Sequence, residues 1–408
     1  MDKINNNQEL EKTVLRDNAK SICPTCYREI PAEISEEDGK IFMSKECPEH
    51  GSFKFLVDKD SDVYKRLMCN DCLKFRRPYY ALMINVTHAC NLKCPVCYLA
   101  DRDTPDMSLQ EIKDTITCFT GVQIRLSGGE PTVRPDLPEI IKHICDLGKD
   151  PVLITNGLKF ADRKYVRELK EAGLRIIHFS FNGFSDDIYK KINGAPLLDV
   201  KLKALRNLKK EKMSVRPSIL LVKGVNEQEL GKLYRYSLRN TGFISAIRIR
   251  TEVAVGRYDR ELDQLYLSEL IDLASEAIGI SRDVMFDHTL SLPRGHLPCG
   301  CGITVNVMDM LLMGTDYKYS RNPLKKLMII LNLYPKLGLK CTLNVMLKAI
   351  AGKKELLNMW LFIRVWPDKR SMDLDEFKRC HSAFLDNNIK AIMPYCYGLT
   401  MQGKDCSG

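Results

Sequence analysis

Short apolar runs alternate with amphipathic stretches six times between residues 81 and 278, and this repetition constrains the fold of the 408-residue chain more than any other feature. The runs at 81–87, 122–126, 152–155, 176–181, 215–222 and 246–249 have strand character. The stretches near 108–118, 135–148, 160–172, 199–212, 226–240 and 263–278 carry the apolar period of helices. Strands regularly separated by helices imply a parallel sheet built from right-handed crossovers. Six units are too few for a closed eight-stranded barrel, so the expected fold class is α/β, a partial (β/α)6 TIM-type barrel over residues 79–285. A small metal-knuckle module over 1–78 precedes it, and a turn-rich, cysteine-containing α+β or irregular extension over 286–408 follows.

Sixteen cysteines fall in clusters along this pattern. Residues 1–20 lack the apolar core of a leader, and no apolar run reaches the about 18 residues that span a bilayer. The expected compartment is therefore the cytoplasm, with room for peripheral membrane contact. A reducing compartment favours thiolate coordination over disulfides. The formal net charge of +10 is local: residues 317–370 hold 12 Lys and Arg against two acids, while the rest of the chain carries 50 of each sign. Over 324–366, as in 324–331 and 360–366, Leu, Ile, Met, Phe and Trp interleave with Lys and Arg, a composition suited to an interface with anionic head groups. The alternative is an amphipathic helical pair on the barrel with solvated lysines.

The motif bearing the chemistry follows the first expected strand. Cys90-Asn91-Leu92-Lys93-Cys94-Pro95-Val96-Cys97 offers three thiolates at a spacing that can hold three irons of a [4Fe–4S] cube, leaving the fourth iron open to an exogenous ligand. A structural metal site with a distant fourth ligand is the bland alternative. Leu126-Ser127-Gly128-Gly129-Glu130-Pro131 ends the next strand, where paired glycines permit close backbone approach and Glu130 can receive an ammonium group. Both motifs sit at the C-terminal rim of the sheet, where barrel active sites assemble.

In these motifs the chain resembles the radical SAM superfamily. The resemblance implies that Cys90, Cys94 and Cys97 hold the cluster and that S-adenosylmethionine (SAM) chelates its open iron. It also implies reductive cleavage to a 5′-deoxyadenosyl radical, hydrogen abstraction from an unreactive carbon, and a low-potential electron donor such as ferredoxin or flavodoxin. Ser127, Gly128, Gly129 and Glu130 match the family's amine-binding motif, and Thr155, Asn156, Ser180 and Asn182 fall where the family contacts ribose and carboxylate, as Arg248 or Arg250 could also do. The superfamily's aromatic residue before the third cysteine is replaced by Val96, with Tyr98 following.

Flanking cysteines suggest further metals. Cys23, Cys26, Cys47 and His50 have a spacing suited to zinc or a rubredoxin-like iron, and Cys69 and Cys72 form a third pair that could replace the Cys47/His50 knuckle or belong to another cluster. Cys299, Cys301, Cys380 and Cys396 are the expected ligands of an auxiliary [4Fe–4S] cluster, with Cys341 and Cys406 as substitutes. Cys118, Cys145 and Cys341 lie in apolar helical patterns and read as small buried hydrophobes. The whole layout is similar to the tetraether lipid synthase branch and its bacterial relatives, which join lipid chain ends by carbon–carbon coupling. That implies a lipid or long-chain substrate and a lipid or membrane surface as partner, with radical modification of a peptide or small metabolite as the alternative. A non-enzymatic iron–sulfur or nucleic-acid-binding protein leaves Ser127–Glu130 unexplained, so no nucleic acid is favoured.

Overall fold

The computed structural model describes residues 12–68, 79–99, 104–258, 262–290, 302–306, 322–332, 359–377, 382–386 and 391–401, with isolated positions between 334 and 347. The calls on Cys69, Cys72, Cys299, Cys301, Cys341, Cys380 and Cys406, and on the side chain of Cys396, lie outside the described residues.

Four strands near the N-terminus form an antiparallel sheet of their own: β1 (Lys12–Ile22), β2 (Glu29–Glu37), β3 (Lys40–Cys47) and β4 (Gly51–Asp58). Ala19, Ala32, Ile34, Ile41 and Met43 make a small core between this sheet and α1 (Ser61–Met68), against which Tyr64 packs. The sheet is strapped to the C-terminal part of the chain. Arg16 pairs with Asp373 at 2.7 Å, and the buried Lys45 ammonium donates to the backbone oxygens of Ile22 and Lys369.

The six expected strands are present as neighbours in a parallel array, their ends within two residues of the sequence reading. They are β5 (Ala81–Thr87), β6 (Gln123–Gly128), β7 (Asp150–Thr155), β8 (Ile176–Ser180), β9 (Ser214–Leu221) and β10 (Ala246–Thr251). The expected helices pack on the outer face: α2 (Leu109–Cys118), α3 (Leu137–Asp146), α4 (Arg163–Glu171), α6 (Leu198–Lys210), α7 (Glu229–Arg239) and α8 (Leu267–Ile278). Alternate strand residues such as Leu82, Ile84, Leu126, Phe179, Ile219 and Ile249 are fully buried against them. Each such side chain contributes roughly 1.5–3 kcal/mol, so this layer holds the barrel together and leaves the opposite face free for polar residues.

An additional short helix, α5 (Asp186–Asn193), starts where Ser185 caps the Asp187 amide and stops at Gly194 in the left-handed conformation. Chain beyond residue 285 adds strands at both ends of the array. β12 (Trp360–Arg364) pairs in parallel with β10 and carries the antiparallel β11 (Gly302–Asn306); β13 (Ser382–Asp386) pairs in parallel with β5 and carries β14 (Ala391–Pro394). The reading of 360–366 as an interfacial segment is thereby corrected, because Leu361 and Ile363 are buried in the sheet. After α9 (Arg282–Leu290), the other interfacial stretch forms α10 (Pro323–Asn332) and does expose Leu324, Met328 and Leu331. Among the described residues no helix is long and apolar enough to cross a membrane. Cys118, expected to be buried, is exposed at the end of α2, whereas Cys145 packs partly against the core.

Candidate active site

Two loops at the C-terminal rim are laced together by backbone contacts. Leaving β5, Thr87 Oγ1 donates to Asp106 at 2.5 Å and the His88 amide to the same carboxylate at 2.7 Å, fixing the entrance to the cysteine loop. Leaving β6, the Gly129 amide donates to Thr87 O and the Glu130 amide to Ala89 O, both at 2.9 Å. This explains the paired glycines. A Cβ at Gly128 would lie 2.1 Å from Thr87 O, in a backbone of φ +127°, and one at Gly129 would lie 2.2 Å from Ala89 O. The close approach that the glycines permit is to the chain's own backbone.

Cys90, Cys94 and Cys97 line a single cavity of ≈ 180 Å³ together with Ser127, Gly128, Gly129, Glu130, Thr155, Asn156, Ser180 and Asn182. Every barrel position singled out from the two motifs and the later strand ends is therefore brought to one place. Of the two arginines considered, Arg250 lines the cavity, while Arg248 lies behind His178.

The half-buried thiols are oriented by donors: the Leu92 amide lies 3.4 Å from Cys90 Sγ and Asn193 Nδ2 lies 3.5 Å from Cys94 Sγ. Three sulfurs facing one cavity with N–H donors behind them suit the thiolate side of a [4Fe–4S] cluster.

Glu130 is buried and saturated. Oε1 accepts from the Thr132 amide, Thr132 Oγ1 and Thr155 Oγ1, and Oε2 from the Asn156 amide at 2.6 Å. Burial pushes its pKa up against those donors, which pull it down. The carboxylate thus ties β6 to the end of β7.

Sequence reasoning missed several neighbours. Asn193, at the end of α5, also accepts from Asn182 Nδ2 at 3.0 Å, so one amide bridges the cysteine loop to β8. Asn91 Oδ1 accepts from Asn156 Nδ2 at 2.7 Å. Tyr98 OH lies 2.8 Å from Ser127 Oγ, and the Tyr98 ring meets Trp366 edge-on. Only the Asn-Gly at 193–194 left a trace in sequence, as a helix-ending turn.

Lys201, on α6, is fully buried and donates to Asn156 O at 2.8 Å and Ser180 O at 2.7 Å, clamping the ends of β7 and β8. Burial lowers its pKa from 10.5 to about 7, with Glu130 and Cys94 opposing. A neutral amine still supplies the two N–H groups that those carbonyls need. The unfolded chain keeps this proton up to about pH 10.5, so between about pH 7 and that value folding releases it and stability rises with pH. Lys201→Met should flatten a slope of at most ~1.4 kcal/mol per pH unit in urea melts from pH 7 to 9. Identical slopes in the two proteins would refute the clamp.

At the other metal site Cys23, Cys26, Cys47 and His50 present ligand atoms all within 4.8 Å of one another. The Cys26–Cys47 sulfurs are 3.9 Å apart and Cys47 Sγ is 3.5 Å from His50 Nδ1. Zn–S bonds of about 2.3 Å and Zn–N bonds of about 2.0 Å in a tetrahedron give edges of about 3.8 and 3.5 Å, so the residues fit. Cys26→Ala should remove one equivalent of metal by elemental analysis and expose 12–58 to protease before the barrel is cut. A protease-resistant, metal-free 12–58 would contradict a structural ion.

Residues 84–237 match the Radical SAM superfamily, and residues 15–59 match the HMPTM N-terminal zinc ribbon domain. The chain is 34% identical over 275 residues to a 7,8-dihydro-6-hydroxymethylpterin dimethyltransferase of Methanocaldococcus jannaschii, covering 59% of this chain and 54% of that protein. It is 31% identical over 189 residues to a probable GTP 3′,8-cyclase of Pyrococcus abyssi, covering 45% of this chain and 60% of that protein. The chain thus spans little more than half the length of these relatives. Streptococcus suis SuiB bound to precursor peptide SuiA aligns with a TM-score of 0.44 and 17% identity, over 53% of this chain and 49% of that one. With its parallel sheet, its cysteine loop and this match, residues 84–237 form a radical SAM domain.

Proposed function

We propose that Cys90, Cys94 and Cys97 hold a [4Fe–4S] cluster at which SAM is cleaved, and that the enzyme modifies an unactivated carbon of its substrate. The supporting observation is the convergence of the three thiols with Ser127–Glu130 on one cavity. When bound, the cluster supplies the electron from a ferredoxin or flavodoxin that converts SAM to methionine and a hydrogen-abstracting 5′-deoxyadenosyl radical. The chain's own residues do the rest. Leu92 N and Asn193 Nδ2 stabilise sulfur charge, Glu130 and Lys201 fix the strand ends that carry Thr155, Asn156, Ser180 and Asn182, and those four face SAM. Tyr98, bonded to Ser127, and Trp366, edge-on to it, add an aromatic wall to the same cavity. Outside the described residues, Cys299, Cys301, Cys380 and Cys396 remain the proposed ligands of an auxiliary cluster.

On the substrate side the reading is carbon alkylation. Methyl transfer to a pterin-like heterocycle is supported by the M. jannaschii dimethyltransferase and by the zinc ribbon match. Coupling of a lipid or long-chain substrate is supported by a separate observation: Leu324, Met328, Leu331, Leu339 and Leu347 are all at least 47% exposed in the lysine-rich segment. Lipid and pterin profiles of a host expressing the wild type or Cys94→Ala separate the two. A new methylated pterin selects the first and a new coupled lipid the second; unchanged profiles of both remove the alkylation reading.

A further inference from the structure

Alternation along β10 sets up one wall of the cleft. Ile247 and Ile249 are fully buried against the outer helices, so Arg248 and Arg250 face the lumen, as Arg125 and Arg216 do from β6 and β9. Glu252, the first residue past β10, continues that face and lines the cavity that holds the three cysteines. It is only 6% exposed, and its Oε1 accepts from the hydroxyl of Tyr258, another residue of the same wall. The loop between them is seated on the cysteine loop: a Cβ at Gly256 would lie 2.0 Å from Tyr98 O.

The hydrogen bonds of this wall are incomplete. Among the described residues no donor reaches Glu252 Oε2, and no cation lies within ion-pair distance of the carboxylate. Ser218 Oγ of β9, in the same cavity, is buried with no partner among the described residues. By contrast Glu130, the other acid of the cavity, is saturated by Thr132, Thr155 and Asn156, and the Asn182 side chain is spent on Asn193 and the Leu220 amide. A buried carboxylate with an acceptor oxygen to spare calls for an N–H donor from the molecule that fills the cleft. The neighbouring surface is aromatic: Tyr98 and Trp366 line the cavity edge to face, and the Arg250 guanidinium is stacked 4.9 Å from the Trp366 ring. A flat ring with an N–H edge meets both demands, whereas an alkyl chain would bury Glu252 and Ser218 unpaired.

We infer that Glu252 is the group that selects the substrate, accepting through Oε2 from the N–H edge of a planar nitrogen heterocycle held against Tyr98 and Trp366. The best-matched edge is that of a 2-aminopyrimidin-4-one ring, where a ring N–H and an exocyclic amino group lie side by side and can share the carboxylate. The inference rests on the radical SAM reading of this cleft and narrows its substrates to the heterocyclic class.

Calorimetric titration of the reconstituted enzyme with 6-hydroxymethylpterin and with 6-hydroxymethyllumazine tests it, because the lumazine carries a carbonyl where the pterin carries the amino group. Wild type should bind the pterin about tenfold or more tighter than the lumazine. Glu252→Gln should weaken pterin binding about tenfold or more and reverse the preference, since its amide can donate to the lumazine carbonyl. Its melting temperature without ligand should change little, because the Gln carbonyl still accepts from Tyr258; a purely structural glutamate would lower the melting temperature and leave the preference as it was. If Glu252→Gln does not fold, Glu252→Asp keeps the charge, withdraws it by one methylene and should bind the pterin less tightly than wild type. No heat with either ring at millimolar concentration, equal affinity for the two rings in wild type, or an unchanged preference in Glu252→Gln overturns the inference. So does a loss of SAM affinity in Glu252→Gln with pterin affinity intact, which would assign the carboxylate to SAM. SAM titration and 5′-deoxyadenosine release by the wild type test the radical SAM reading separately, so the two failures are distinguishable.

Discussion

Cys94→Ala should fold like the wild type and yield no 5′-deoxyadenosine. The side chain is half-buried on a loop outside the helix-packed layer, so its loss should cost stability no more than about 1 kcal/mol. Chemically the change is severe: one of three thiolates disappears and the Asn193 amide loses its sulfur acceptor. Bound iron and the visible thiolate-to-iron absorption should fall accordingly after anaerobic reconstitution. Cys118→Ala is the matched control, since Cys118 is exposed on α2 and should not change the iron content. Iron retained by Cys94→Ala, or lost equally by Cys118→Ala, would remove the cysteine loop from the cluster assignment.

Glu130→Ala should destabilise the protein by about 3–5 kcal/mol and abolish SAM binding. The carboxylate satisfies four donors from Thr132, Thr155 and Asn156, and removing it strands them in a buried site that the cavity only partly opens to water. Thr155 and Asn156 then lose the anchor that holds them at the cleft. Glu130→Gln keeps the shape and one acceptor but places an amide N–H where both oxygens accept, so its loss should be intermediate. Urea denaturation and SAM calorimetry on the two variants check the order. A Glu130→Ala protein of wild-type stability would mean that the carboxylate is not the tie between β6 and β7.

The strands of the array were legible because their outer faces are apolar: in β5 the alternating Leu82, Ile84 and Val86 are fully buried in the core, and Asn85 is the one polar residue among 81–86. The N-terminal sheet was not legible as strands, because polar and charged residues fill most of β1, where Ala19, Ser21 and Ile22 are the buried positions. β12 looked interfacial because Trp360 and Arg364 flank its buried Leu361 and Ile363, and the neighbours that bury them lie over 100 residues away in β10. α5 was too short for its period to register. In the cleft, the cysteines and the Gly-Gly-Glu were readable from spacing. Asn193, Lys201 and Trp366 were not, because each acts through distant contacts: Lys201, for instance, reads as an ordinary helix lysine until α6 packs it beneath β7 and β8. The arginine-lined lumen was hidden for a related reason. Arg125 and Arg216 stand alone in β6 and β9, Arg248 and Arg250 share β10, and only the register brings these strands together.

The central claim is that this chain cleaves SAM reductively at the cleft built by Cys90, Cys94, Cys97 and Ser127–Glu130. The direct measurement is anaerobic reconstitution with iron and sulfide, addition of dithionite and SAM, and quantification of 5′-deoxyadenosine by mass spectrometry. The account predicts 5′-deoxyadenosine from the wild type and none from Cys94→Ala. A wild-type protein with an intact cluster that binds SAM and releases no 5′-deoxyadenosine would contradict it.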